Sequence, residues 1–483
     1  MKNLLLISLI FSCGVFADCL AAEAIGAGDD TTVLAEDTKC AIKAFEKEQW
    51  EEGFRLSKKA DLKDKEIQFY LGVCCSLGRG TAKDEYEAVK WFRKSAEQGD
   101  ARGQVSLGTC YEEGFGVMKE EIEAAKWFRR SAEQGNVLGQ ICLGGCYLEG
   151  IGVVKDETEA VKWGRRSAEQ GNALGQVGLG GCYLEGEGVA KDETEAVKWF
   201  RRSAEQGNAL GQAALGRCYL EGLGVAKDET EAVKWFRRSA EQGNAFGQAF
   251  LGICYLVGQG VAKDEKEAVK WFRKSAEQGG KINLSHLNNL GVASNVFGEK
   301  EGSAVGQYSL GTCYAEGRGV AKDVREAFKW YRKAAEQGDA TGQCCLGVCY
   351  QEGRGVAKDE REAFKWYRKA AEQGDAMGQC NLGVCYQEGL GVAKDEREAF
   401  KWYRKAAEQG DATGQCCLGV CYNEGRGVAK DEREAIKWYR KAVEQGNDLA
   451  RERLNEVLEK DTRSEEHTDS FRTPHYYWGF WGP

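Results

Sequence analysis

Ten tryptophans mark a period along this chain: Trp91, Trp127, Trp163, Trp199, Trp235 and Trp271, then Trp330, Trp366, Trp402 and Trp438. Neighbours in the series stand 36 residues apart, except Trp271 and Trp330, which stand 59 apart, one period plus 23 inserted residues. A fixed period in this range builds stacked supersecondary units that lean on their neighbours, not a single globule. A length of 483 residues would otherwise suggest about three domains. The repeat overrides that prior, and one elongated repeat domain is expected.

The unit Asp339–Gly374 shows what each copy encodes. A first helix is expected over Ala340–Glu352, with Asp339 as N-cap, Leu346, Cys349 and Tyr350 on one apolar face, and Gly353 as a left-handed stop. A second helix is expected from Glu360 to Gln373. There Asp359 and Glu362 form a capping box, Ala363, Trp366, Tyr367 and Ala370 share a face, and Gly374 ends the helix. Between them the two glycines of GRGVAKD make a tight turn, with Val356 plugging the space between the helices. The unit is an αα-hairpin. Stacking would bury each indole on both sides, so every repeat tryptophan is expected in the core, and Gly342 and Gly347 are expected where helices approach closely. Gly164 stands where other units carry Phe or Tyr, so that second helix is expected to be locally weak.

Charge and rare residues exclude several function classes. The net charge is −9, but acids and bases alternate within every unit, which describes a solvated surface and gives no basic footprint for nucleic acid. Histidine occurs only at His286, His467 and His475, and proline only at Pro474 and Pro483, so no repeat holds either. Without imidazole most hydrolase and metalloenzyme schemes fall away.

In chain order, residues 1–24 read as a secretory signal: Lys2, the apolar run Leu4–Ala17, and small residues at Ala17, Ala22 and Ala24, with cleavage open after Ala17 or Ala24. The apolar run is too short for a membrane span. Residues 25–65 read as a linker and N-terminal capping helix, 66–279 as repeats 1–6, and 303–446 as repeats 7–10. Residues 280–302 are an insertion or truncated repeat, in which Leu290–Ala293 aligns with Leu346–Cys349. Residues 447–461 form a C-terminal capping helix. Residues 462–483 are a disordered or artefactual tail, with an aromatic end and a segment, Arg463–Thr468, that matches the translation of a sequencing adapter.

The pattern LGxCYxEGxGVAKDExEAxKWYRKAAEQG, carried by ten units over residues 66–446, resembles the Sel-1-like repeat (SLR) family, relatives of the tetratricopeptide repeats. The resemblance implies an all-α fold, a right-handed α-solenoid of stacked antiparallel helix pairs, about ten 36-residue repeats long, whose first helices line a concave groove. The chain departs from the family pattern at Gly342, Gly378 and Gly414, where alanine is usual, and at Ala357, where proline is usual.

Cys74, Cys110, Cys146, Cys182, Cys218, Cys254, Cys313, Cys349, Cys385 and Cys421 hold one position in the ten units. Equivalent residues on neighbouring helices lie about 8–10 Å apart, too far for a disulfide. The secreted cysteine-rich members of the family pair a cysteine late in the second helix with one in the next first helix; here the late position is Ala371 or its equivalents, or Val443. Small buried thiols are therefore expected. Metal binding by Cys345 with Cys349, Cys417 with Cys421, or Cys142 with Cys146 would need a second pair from a neighbour, where Asn381 interrupts the series. The recurring Glu352, Asp359, Glu360 and Glu362 read as caps and exposed charges. No Ser-x-x-Lys signature of serine β-lactamases occurs, and GxGVAK lacks the Gly-Lys-Ser/Thr ending of a phosphate loop.

What varies between copies is the residue before Gly-Gln: Arg102, Leu138, Leu174, Leu210, Phe246, Val305, Thr341, Met377 and Thr413, early on the first helix, together with the two residues after that dipeptide and one turn residue. These nine residues are the candidate partner-binding groove, apolar in its first half. The expected function is an exported, periplasmic or secreted scaffold binding a protein or peptide, with no enzymatic activity, cofactor, metal or nucleic acid and no membrane span after signal cleavage. The competing reading, drawn from exported relatives of the cysteine-rich type, is a hydrolase acting on cell-wall or β-lactam substrates.

Overall fold

The computed structural model describes residues 30–277 and 302–469, and the segment expected to be a signal, the insertion and the aromatic end of the tail lie outside the described residues. Every regular element among the described residues is a helix. Two helices, Asp30–Glu46 and Trp50–Ser57, come first, joined at Glu48 by a left-handed residue (φ 59°). Helix pairs follow, beginning Lys65–Leu77 with Glu85–Glu97 and ending Ala412–Glu424 with Glu432–Glu444. The closing helix runs Asp448–Asp469, past the boundary expected at residue 461. The chain falls into two compact units divided after Gly306, each a tandem stack of paired helices: an α-solenoid with about ten repeats in all.

Local chemistry sets each hairpin. In repeat 8 the first helix is Ala340–Glu352 and the second Glu360–Glu372, with Gln373 as C-cap. Asp339 caps the first by accepting from the Gly342 amide at 2.6 Å, and Gly353 ends it at φ 72°. Asp359 accepts from the amides of Arg361 and Glu362 at 3.0 Å. The reciprocal half of the expected capping box is absent: the Asp359 amide donates to the Tyr350 carbonyl, closing the turn, and Glu362 pairs with Lys365 instead. Val356 packs between the helices as expected.

The ring that fills each hairpin is not the tryptophan. Trp199 and Trp271 are buried, but the other eight repeat tryptophans are only half-buried. The residue after each is the core residue: Phe92, Phe128, Phe200, Phe236 and Phe272, then Tyr331, Tyr367, Tyr403 and Tyr439. On a helix the two positions point about 100° apart, and only the second faces the partner helix. Each indole lies on the flank, with a cation from one turn later over its face, as Lys369 over Trp366 (4.1 Å) and Arg130 over Trp127 (4.4 Å). The glycines of Leu-Gly make room for the buried rings: a Cβ on Gly347 would fall 2.5 Å from the Tyr367 ring. Those of Gly-Gln seat one repeat on the next, since a Cβ on Gly342 would fall 2.6 Å from that of Ala334. Where alanine is usual, these glycines therefore tighten the contact.

Candidate functional site

Each first helix turns one stripe away from its partner helix. In repeat 8 the stripe is Thr341, Cys345, Val348 and Glu352, spaced four, three and four residues apart, with Glu352 exposed and the others half-buried. The remaining positions of the helix are committed to packing. Successive first helices approach one another closely in repeats 2–3, 4–5 and 5–6 of the first unit and 8–9 and 9–10 of the second, so in those repeats the stripes lie side by side.

The nine candidate groove residues all occupy the first position of this stripe, yet they differ in accessibility. Leu210 and Phe246 are buried in one core cluster with Val177 and Leu184, exposing 8 % and 3 % of their surface. Leu138, Leu174, Val305 and Thr341 are half-buried. Met377 is 59 % exposed, and Thr413 is exposed as well. Arg102 is held in place: it donates to Asp100 at 2.8 Å, pairs with Glu66 at 3.4 Å, and lies over the rings of Phe69 (4.8 Å) and Tyr70 (5.6 Å). Burial would lower its pKa, but the Asp100 hydrogen bond and charge more than offset that, so Arg102 stays firmly cationic.

Repeat 6 carries the most apolar stripe, Phe246, Phe250, Ile253 and Val257. Phe250 stacks on Phe236 of the preceding repeat at 5.2 Å. Val257 is 59 % exposed where Glu113, Glu149, Glu185, Glu221, Glu316, Glu352, Glu388 and Glu424 stand in other repeats.

The thiols lie beneath this surface. Burial pushes Cys110, Cys146, Cys182, Cys218, Cys254, Cys385 and Cys421 up to about 12, and Cys349 to about 11, so these thiols are protonated and unreactive at neutral pH. Two further thiols make structural contacts: Asn381 donates to Cys344 Sγ at 3.4 Å and Cys380 to Asp411 at 3.3 Å. Among the described residues no group of three or more His, Cys, Asp or Glu side chains is placed to hold a metal. Nor is any helix there long and apolar enough to cross a membrane.

One recurring residue escaped the sequence reading. The glutamine of Gly-Gln is buried in repeats 2–10; where the capping glutamine of the second helix is described it donates to this one, as Gln373 Nε2 to Gln343 Oε1 (2.7 Å), and in seven repeats the buried amide itself donates to the preceding repeat, as Gln343 Nε2 to the Ala335 carbonyl (3.3 Å). The two units differ in a second interlock. In the first, the arginine two residues after the tryptophan donates to the next tyrosine, as Arg129 to Tyr147 at 2.7 Å. In the second, a phenylalanine ring meets that tyrosine edge-on, as Phe364 with Tyr386 at 5.5 Å and 87°. The only sequence signal for the first was the invariance of Gln; for the second it was the change from Val161, Val197 and Val233 to Phe328, Phe364 and Phe400.

Comparison with known proteins adds the lineage. The Sel1 repeat model matches residues 66–100, 101–136, 138–172, 173–208, 209–244, 245–280, 304–339, 340–375, 376–411 and 412–447. A protective antigen of uropathogenic Escherichia coli, solved as an SLR fold, is 36 % identical over 88 % of this chain and 88 % of its own, with a TM-score of 0.52. A Sel1 repeat protein from Oxalobacter formigenes is 30 % identical over 69 % of this chain and 89 % of its own (TM-score 0.43). Cysteine-rich protein B of Helicobacter pylori is 32 % identical over 27 % and 92 % (TM-score 0.23). No curated protein matches.

Proposed function

The chain belongs to the Sel1 repeat family, and from that premise we propose that it is an exported scaffold without enzymatic activity, binding a protein or peptide partner along the stripe of its first helices. Repeats of this family mediate protein–protein contacts. The observation that carries the reading is where the copies differ: the stripe position held by Val305, Thr341, Met377 and Thr413, half-buried in the first two and exposed in the last two, varies while the glutamines, rings and caps around it are constant. A partner would be held by shape and distributed contacts, with Leu138 and Leu174 offering apolar surface in the first unit and Met377 in the second. Export is proposed on the leader-like residues 1–24 and on the likeness to the protective antigen of uropathogenic Escherichia coli.

The test is capture from the native envelope fraction with the full chain and with the triple variant Thr341→Glu, Met377→Glu, Thr413→Glu, whose substitutions sit at accessible positions and should leave the helical spectrum unchanged. Selective loss of captured protein in the variant is expected. Equal capture by both proteins would overturn the reading, as would nitrocefin turnover that a single point change abolishes.

A further inference from the structure

Repeat 3 lacks the side chain that each of the other nine places at its centre. In those nine, a Phe or Tyr ring lies against the Leu-Gly glycine of its own first helix; a Cβ on Gly108, Gly180 or Gly252 would fall 2.6 Å from the ring of Phe128, Phe200 or Phe272. In repeat 3 the ring position is Gly164. The helices have not closed over the gap. A Cβ on Gly144 would meet the Ala160 carbonyl at 3.4 Å, against 3.2 Å between Gly108 and the Ala124 carbonyl in repeat 2. A Cβ on Gly164 itself would meet nothing within 4 Å.

The next repeat withholds its side chain too. The Phe236 ring stacks on Phe250 of the following first helix at 5.2 Å, and the residue equivalent to Phe250 in repeat 4 is Gly178. Gly178 is partly exposed on the stripe, one turn from Leu174, so the space opens outward. Beside the gap, one turn beyond Gly164, Ser167 is fully buried and its hydroxyl has no partner, whereas Ser131 and Ser203 donate to the Ala101 and Ala173 carbonyls at 2.8 Å.

We propose that this notch, walled by Gly144, Gly164 and Gly178, receives an aromatic side chain of the bound partner, a phenylalanine seated where nine sibling repeats seat their own ring. The chain itself is the template for that occupant: the same glycine, helix spacing and flanking leucine and cysteine positions hold a phenyl ring in repeats 2 and 4. The inference rests on the scaffold reading and names one anchor point within it.

The test uses the full chain and a capped Gly-Ser-Phe-Ser-Gly peptide bearing 4-fluorophenylalanine, followed by fluorine NMR, beside a peptide with alanine at the centre competing against it. The expected result is a saturable shift that the alanine peptide does not compete away, and at least tenfold weaker binding in Gly164→Phe, which supplies the missing ring from within. Gly178→Leu, at the mouth and on the exposed side, is a second block should the first variant fold poorly. Absence of saturable binding, or equal binding by the parent and a folded blocking variant, would overturn the notch. If envelope capture persists while the peptide does not bind, the notch fails and the scaffold stands; if capture is insensitive to the triple variant while the peptide binds at Gly164, the reverse holds.

Discussion

One substitution, Gly→Ala in the Leu-Gly dipeptide, should have opposite signs in adjacent repeats. At Gly180 a Cβ would lie 2.6 and 2.8 Å from two carbons of the Phe200 ring, about 1 Å inside an ordinary contact, in a ring that is fully buried. Overpacking of this kind costs about 1–3 kcal/mol. Replacing a mid-helix glycine gives back about 1 kcal/mol, so Gly180→Ala should be neutral to destabilising by about 2 kcal/mol. At Gly144 the new Cβ would meet backbone and the Trp163 Cβ at 3.4–3.7 Å, ordinary contact with no ring in the way. Gly144→Ala should therefore stabilise by about 1 kcal/mol. The two variants should differ by about 1–3 kcal/mol, or roughly 2–12 °C in Tm for a unit of this size. Because repeat arrays open locally, amide hydrogen exchange in Val137–Glu149 and Ala173–Glu185 is the sharper assay. The Gly164→Phe background makes the decisive control, since there Gly144→Ala should become unfavourable. A stabilising Gly180→Ala, a destabilising Gly144→Ala, or a Gly144→Ala effect that Gly164→Phe leaves unchanged would each refute the account of how rings and glycines pair.

Gly164→Phe alone should stabilise the chain by about 2–4 kcal/mol, the reverse of a core Phe truncation, measured as a rise in Tm with unchanged helical content. Tyr367→Ala should cost about 3–5 kcal/mol and Trp366→Ala distinctly less, because the first ring is fully buried and the second half-buried; denaturant titration of both variants ranks them. Gln343→Ala should cost about 1–3 kcal/mol by leaving Gln373 and the Ala335 carbonyl without their shared partner, read as faster exchange at the junction of repeats 7 and 8. Stability should fall steeply above pH 9 in reducing buffer. The buried thiols hold their protons up to about 12 against an ordinary 9.0, so between those values the unfolded chain binds fewer protons than the folded one, and each thiol withdraws about 1.4 kcal/mol per pH unit. Circular dichroism should show cooperative alkaline unfolding near pH 10, and retention of the native spectrum to pH 11 would contradict it.

The hairpin was legible because its determinants are local. A 36-residue period, an N-cap at Asp339, stops at Gly353 and Gly374 and an i, i+3, i+4 apolar face each act within a few residues, and the helices form where those signals fall. Tertiary choices were not legible in the same way. Trp366 and Tyr367 are both large, aromatic and adjacent, and only the direction in which the second helix leans decides which one becomes core. Gln343 looked like an ordinary polar helix residue, since its two hydrogen-bond partners lie 30 and 8 positions away in the sequence. The stripe shows the same limit. A position that varies between copies can face solvent, as Met377 does, or can fill space against the equivalent residue one repeat away, as Phe246 does beside Leu210. Variation alone does not separate the two, because in a stack every stripe position neighbours its own copy. What separates them is whether volume lost in one repeat is regained in the next. Phe250 is large where it meets the Phe236 ring, and Cys345 is small where it meets Tyr331, so most junctions stay filled. At Gly164 and Gly178 both sides of a junction lose their side chains together, and the space left over can be filled only from outside the repeat.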